Sequence, residues 1–187
     1  MAKGGPGSGK RTISKRLEEN GFLSISLKDI LLKEGEENVE SRLKIKESMD
    51  ANELVPLNIV IHLLKVRLIN ESNNGTKFVI HGFPKNIDQV NKFEKEIIDT
   101  QVAIYLKVSD QTMKIRYKQK AELGGTSYDD AIIESKLTFF KEKQAKCVEY
   151  YAKQNKLCVV DGEVPEDVVY RAILKCIKKK LKNDDLP

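Results

Sequence analysis

The sequence predicts an α/β protein, a parallel sheet flanked by helices with a phosphate-binding loop at its start. Two observations predict it. Short, continuous apolar runs alternate with longer segments whose apolar residues recur at helical spacing, and strands alternating with helices build a parallel sheet covered on both faces. The second is the stretch Gly4-Gly5-Pro6-Gly7-Ser8-Gly9-Lys10-Arg11-Thr12, which puts four glycines in six positions ahead of a lysine and a hydroxyl. Glycines allow positive φ, so successive N–H groups can point inward, and no Cβ keeps a phosphate away. A helix beginning near Gly9 adds its positive end, Lys10 brings a mobile cation to the outer phosphates, and Thr12 offers a hydroxyl to phosphate or Mg²⁺. A merely flexible turn has no use for the lysine or for the amphipathic helix that follows. Arg11 stands directly after the lysine, where Ser or Thr is usual, so the hydroxyl comes one residue late.

From Lys10 to Asn20, Ile13, Arg16 and Leu17 fall at helical spacing, and Asn20-Gly21 stops the helix. Phe22 to Ile25 reads as a short strand. A helix follows from about Leu27 with Ile30 and Leu31, then a polar break from Gly35 to Asn38, then a helix marked by Val39, Leu43 and Met49 that carries Arg42. Leu54-Val55-Pro56 interrupts, and Leu57 to Ile69 has an apolar stripe of Ile61, Leu64 and Leu68. Phe78-Val79-Ile80 is a buried parallel strand ending in His81-Gly82-Phe83-Pro84. The alternation repeats: a helix from about Ile87 to Ile98, a strand from Val102 to Leu106, and a helix from about Asp110 to Leu123. After a hinge-like break at Gly124-Gly125-Thr126-Ser127, the longest helix runs from Asp129 to Lys153, with Ile133, Leu137, Phe140, Val148 and Tyr151 on one side. Leu157 to Val160 is the last strand. Pro165 opens a final helix whose Lys178-Lys179-Lys180 run sits at its C-terminal end, where exposed cations are favourable. The tail from Asn183 to Pro187 is expected to be disordered. A phosphate loop normally follows a buried apolar strand, yet only Met1-Ala2-Lys3 precede this one. Either the strand begins upstream of Met1, or the centre of the sheet is filled another way.

At 187 residues, 40% hydrophobic and 33% charged, the chain suits one soluble domain. Neither a membrane span nor a secretion signal is expected, because there is no long apolar run and no apolar leader. Cys147, Cys158 and Cys176 are unevenly spaced, which argues against a disulfide framework or zinc site and for a reducing cytoplasm. His62 and His81 are too few for a histidine metal centre. Net charge is +5, and only six of the 33 basic residues are arginine. Dispersed lysines suit an anionic substrate rather than a nucleic-acid footprint, and aromatics at 6% offer no base-stacking platform. No nucleic-acid or membrane partner is expected, and the chain is expected to act as a monomer.

Several of these segments together resemble the adenylate kinase family of nucleoside monophosphate kinases, along nearly the whole chain. Gly4 to Thr12 is similar to the family's GGPGSGKGT loop, with Arg11 in place of its last glycine. Leu54-Val55-Pro56 matches the LVP segment, and His81-Gly82-Phe83-Pro84-Lys85 resembles DGFPR. Gln89 falls where the family places an adenine-contacting glutamine, and the break from Gly124 to Tyr128 corresponds to the small lid of short-form enzymes. The resemblance implies a P-loop three-layer fold in a single domain, residues 1–187, with a monophosphate-binding helical insert at about 26–56 and a lid at about 121–130. It implies transfer of the γ-phosphoryl of MgATP to AMP or a related monophosphate, with Mg²⁺ arriving on ATP and held by no direct side-chain ligand. Gly5, Gly7, Ser8, Gly9, Lys10, Arg11, Thr12 and Arg116 would hold ATP. Ser26, Leu27, Leu32, Arg42, Val55, Gly82, Lys85 and Gln89 would hold the monophosphate, and Lys10, Arg116, Lys85, Lys120 and Lys136 would serve the transferring group.

Laid on this chain, most of the family's arginines are replaced. Its serine-threonine-glycine-aspartate-leucine-leucine-arginine run reads Ser26-Leu27-Lys28-Asp29-Ile30-Leu31-Leu32, with Lys33 beside the lost arginine. Lys85 replaces the arginine after DGFP, Lys120 the second arginine leading into the lid, and Lys136 the one early in the long helix. Ser127 stands for the lid's arginine, and His81 for the aspartate on the magnesium side. One arginine on a transferring phosphate is worth ~10³–10⁵ in rate. Lysine keeps the charge but not the bidentate grip, and imidazole is a poor match for hard Mg²⁺. Asp161 is expected to cap a turn rather than take over. Two functions therefore stand side by side. One is a working kinase with a lysine-rich site, slow or altered in acceptor. The other is a nucleotide-binding module without efficient transfer, acting as a regulatory or structural partner. Arg42, Arg116, Gln89 and the loop favour the first; Leu27, Leu32, Ser127 and His81 favour the second. A GTPase is disfavoured, because no Asn-Lys-x-Asp segment follows a strand.

Overall fold

The structure, a computed structural model, describes residues 1–51, 53–73, 75–124 and 128–182. Among the described residues, five strands, all parallel, form one sheet in the order β2-β3-β1-β4-β5. They are β1 (Ala2–Lys3), β2 (Phe22–Ser26), β3 (Lys77–His81), β4 (Ala103–Lys107) and β5 (Leu157–Asp161). The helices between them are α1 (Lys10–Glu18), α2 (Leu27–Glu37), α3 (Val39–Asp50), α4 (Leu57–Asn70), α5 (Ile87–Glu96), α6 (Asp110–Leu123), α7 (Asp130–Phe139), α8 (Ala145–Lys153) and α9 (Glu166–Leu181).

The alternation of side chains along each strand explains the two covered faces. On β4, Val102 (just before it), Ile104 and Leu106 point to one face, where Ile13 and Leu17 of α1 and Tyr170 and Ile173 of α9 cover them. Ala103 points to the other face, packing with Val90 of α5 and Cys147 and Tyr151 of α8. β3 divides likewise, with Val79 toward α1 and Ile80 toward Leu64 of α4 and Phe93 of α5. The centre of the sheet, which seemed to lack a strand, is held by Ala2 and Lys3. Ala2 pairs with His81 on one side and Ile104 on the other, and Lys3 pairs with Tyr105.

Several local expectations are corrected. α2 runs through Gly35, and the break narrows to Asn38, whose side chain caps α3 by accepting from the amides of Glu40 and Ser41. On α3, Val39 and Leu43 are exposed and Ile45 is the buried residue. α5 ends at Glu96, leaving Ile98 exposed. The long helix is continuous but carries a π-helical turn, Phe140–Gln144, and Cys147 rather than Val148 is fully buried beyond it. The expectation against disulfides is also corrected: Cys158 of β5 and Cys176 of α9 are bonded, with Cα atoms 6.0 Å apart, because α9 packs directly on β5. Cys147 is a free, buried thiol. The expected tail disorder (183–187) and the Ser127 position lie outside the described residues. Among the described residues, no helix is long and apolar enough to cross a membrane.

Candidate active site

β1 runs straight into the glycine loop, and the loop ends where α1 begins. At Gly7, φ is +73°, and a Cβ there would stand 2.5 Å from the carbonyl oxygen of Met113 on α6, so only glycine fits. Gly9, at φ +91°, caps α1 and turns the chain into it, with no acidic side chain in the helix's first turn to offset its positive end. Lys10 folds back over the loop. Its Nζ donates to the carbonyls of Gly4 (2.8 Å) and Gly5 (2.6 Å) and to Ser8 Oγ (3.3 Å). Burial, helped by the charge of Lys120, pulls the Lys10 ammonium down to about 8.

The loop opens onto a cleft of about 1090 Å³. Gly7, Ser8, Gly9, Lys10, Arg11, Thr12 and Arg116, seven of the eight residues expected at ATP, line it together; Gly5 contributes its carbonyl to Lys10 instead. Lys120 lines the same cleft, exposed. From the residues expected at the monophosphate, Ser26 and Gly82 join the wall, with Asp29 and His81 between them. Ser26 closes β2 and caps α2 by accepting from the Asp29 amide at 3.3 Å. Arg11 crosses to Asp29 at 2.6 Å and so ties α1 to α2. Arg116 donates to the carbonyl of Gly162, just after β5, at 2.8 Å. Burial holds the His81 imidazole below its usual range, favouring the neutral ring.

The other candidates lie outside this wall. Leu27 and Val55 are buried in the core between α2, α3 and α4, and Leu32 is 45% exposed on α2. Arg42 donates to the carbonyls of Gly35 (2.7 Å) and Glu36 (2.8 Å), closing the C-terminal end of α2. Lys33 is engaged with Glu37 at 3.6 Å. Gln89, almost fully buried, accepts from the Lys85 amide at 2.7 Å. Lys85 is lowered by burial and then by the charge of Lys136, while Lys136 donates to the Tyr117 hydroxyl at 2.7 Å and stands over that ring. Tyr117 lines the cleft and is a residue the sequence did not single out; its position beside Arg116 was the available signal. Lys3 was missed as well. A lysine inside a strand buried on both faces is anomalous, and that was its signal.

A glycine loop joining a parallel strand to a helix N-terminus, with a lysine folded over it and a cation-rich cleft above, defines a P-loop α/β nucleotide-binding protein. Within that class the chain belongs to the adenylate kinase family, whose family model matches residues 2–156. The chain is similar to "Adenylate kinase 1" of Schistosoma mansoni, 32% identical over 169 residues, 89% of this chain and 86% of the relative. It is similar to "Uridylate kinase" of Schizosaccharomyces pombe, 33% identical over 185 residues, 95% and 96% of the two chains. "Adenylate kinase isoenzyme 1" of Caenorhabditis elegans is 29% identical over 179 residues, covering 94% and 85%.

Proposed function

We propose that the protein is an ATP-dependent nucleoside monophosphate kinase of weakened activity that transfers the γ-phosphoryl of MgATP to AMP or a related monophosphate such as UMP. The observation that carries this reading is the shared cleft: the loop, Lys10 and Arg116 open onto the same space as Ser26 and Gly82. An oxygen of the acceptor's phosphate attacks the γ-phosphorus as the bond to the β-phosphate oxygen breaks. Catalysis is then positioning and charge neutralisation. Loop N–H groups and Lys10 hold the β- and γ-phosphates, and Arg116 and Lys120 neutralise charge from the α6 side. Lys85 and Lys136 serve the acceptor side once α2–α3, the proposed monophosphate insert, and the proposed lid near 121–130 close. Mg²⁺ would enter as part of MgATP with no direct side-chain ligand from the chain, and the neutral His81 ring is a poor match for it. We place this activity in a monomer and in the cytoplasm, a compartment in which the Cys158–Cys176 pair would stand as two thiols.

A second reading, a nucleotide-binding module without efficient transfer, is favoured by one observation. Leu27 is turned into the core and Leu32 offers only an apolar side chain on the acceptor side. Incubating the protein with ATP labelled on the γ-phosphate and a panel of AMP, UMP, CMP and GMP separates the two. Label in a nucleoside diphosphate supports the kinase. ATP binding without labelled diphosphate supports the module.

A further inference from the structure

We infer that Lys3 is a positioning residue for the acceptor site: it fixes the peptide group from which Lys85 reaches the monophosphate. The inference rests on the kinase reading above and names a residue that reading does not use. Lys3 is 2% exposed, in the middle of the sheet, where an apolar side chain would pack without desolvating a charge. Its ammonium donates to the carbonyl of Pro84. Across the same peptide bond, the Lys85 amide donates to Gln89 Oε1 at 2.7 Å. Gln89 is itself 2% exposed, and its own amide donates to Asn86 Oδ1 at 3.0 Å. The Pro84–Lys85 peptide group is therefore held at both of its polar atoms, the C=O by Lys3 and the N–H by Gln89. Because a peptide group is planar, fixing both atoms fixes its rotation and so the place of the Lys85 Cα, from which the side chain starts.

The strand that carries Lys3 continues into Gly4, whose carbonyl accepts from Lys10 at 2.8 Å. One short stretch thus connects the ATP-side lysine to the acceptor-side lysine. An apolar side chain of equal length at position 3 would fill the same space and leave the Pro84 carbonyl without its donor. Burial holds the Lys3 ammonium down at about 7, so its charge is marginal near neutral pH while its N–H donors remain in either protonation state.

The test uses the full chain. In Lys3→Met, the dissociation constant and KM for AMP (or UMP, if the panel prefers it) should rise roughly ten- to hundredfold. The ATP constant should change less than about twofold and Tm should hold or rise, since a buried ammonium has gone. In a Lys85→Met background the same change should do nothing further to the AMP constant, because the group being positioned is absent. Equal AMP binding by wild type and Lys3→Met overturns the inference. So does parallel weakening of ATP and AMP with a lowered Tm, which marks a purely structural lysine. Should Lys3→Met not fold, Lys3→Leu is read the same way, and failure of both to fold also overturns it. A wild-type protein that binds ATP but neither binds nor phosphorylates any monophosphate overturns the kinase reading itself, and the inference with it.

Discussion

On the β1–α1 side, the cleft wall is organised by backbone: the glycine loop turns into the N-terminus of α1, with Lys10, Arg11 and Thr12 beside it. Lys10 folds back over the loop, and Gly7 stands so close to the Met113 carbonyl that the loop's course is set by sterics. Facing it, where α2 and the end of β3 meet the cleft, Ser26, Lys28, Asp29 and His81 supply side chains, while Leu32 and Lys85, which stand where the family pattern has arginine, lie outside that wall. The difference teaches where function is protected by folding. A backbone site shares its geometry with the sheet and helix that form it, so altering it costs stability. A side-chain site on an exposed helix face can lose its charges at almost no folding cost, as the 45% exposed Leu32 illustrates.

The largest effect should come from the backbone side. Lys10→Ala should weaken ATP binding by on the order of a hundredfold or more, since it removes the cation folded over the loop carbonyls. Calorimetry checks it, and unchanged affinity would break the contrast. Rebuilding the other side should come next. The triple variant Leu32→Arg, Lys85→Arg, His81→Asp should raise kcat/KM for AMP by about two decades while each single change does little, because a half-built clamp positions nothing. Steady-state kinetics of the four variants test this, and additive single effects would contradict it.

A pH series sharpens the comparison. Phosphate favours the charged ammonium, so nucleotide binding above about pH 8 should take up a proton at Lys10 and weaken by up to about tenfold per pH unit. Stability should move the other way. Lys3 at about 7 and Lys10 at about 8 both lie below their unfolded value of 10.5, so the unfolded chain holds more protons between those limits. These two groups therefore add stability as pH rises from about 7 to 10.5 and lose it as pH falls again, which a melting series at fixed ionic strength reads directly. The smallest effect belongs to the pair that joins the two sides. Arg11 and Asp29 are 55% and 47% exposed, so Asp29→Asn should change unfolding free energy by less than about 1 kcal/mol. A Tm shift of several degrees would show a stronger tie between α1 and α2.

Most of the fold was legible because it is written locally. The Phe78–Ile80 run and the Leu57–Ile69 stripe carry their own period, and both became elements as expected. The loop was legible for the same reason. What escaped depends on how the chain turns back on itself. Lys3 meets Pro84, Cys158 meets Cys176 and Arg42 turns back on α2 only once the chain has folded. Gly35 passes through α2 because one interior glycine costs a helix only about 1 kcal/mol. At the proposed acceptor side, residue identity showed lysine and leucine where the family pattern has arginine, but not that Gln89 spends its carbonyl oxygen on the Lys85 amide.

The proposed kinase sets a glycine-loop ATP side against an acceptor side with lysine and leucine where the family pattern has arginine. It is tested most directly by kcat of the wild-type protein with MgATP and AMP both saturating, measured together with the ATP dissociation constant. The account predicts firm ATP binding with turnover well below the ~1–100 s⁻¹ of ordinary kinases. Turnover within that range would contradict it, and would mean that Lys85, Lys120 and Lys136 do the work of the missing arginines unaided.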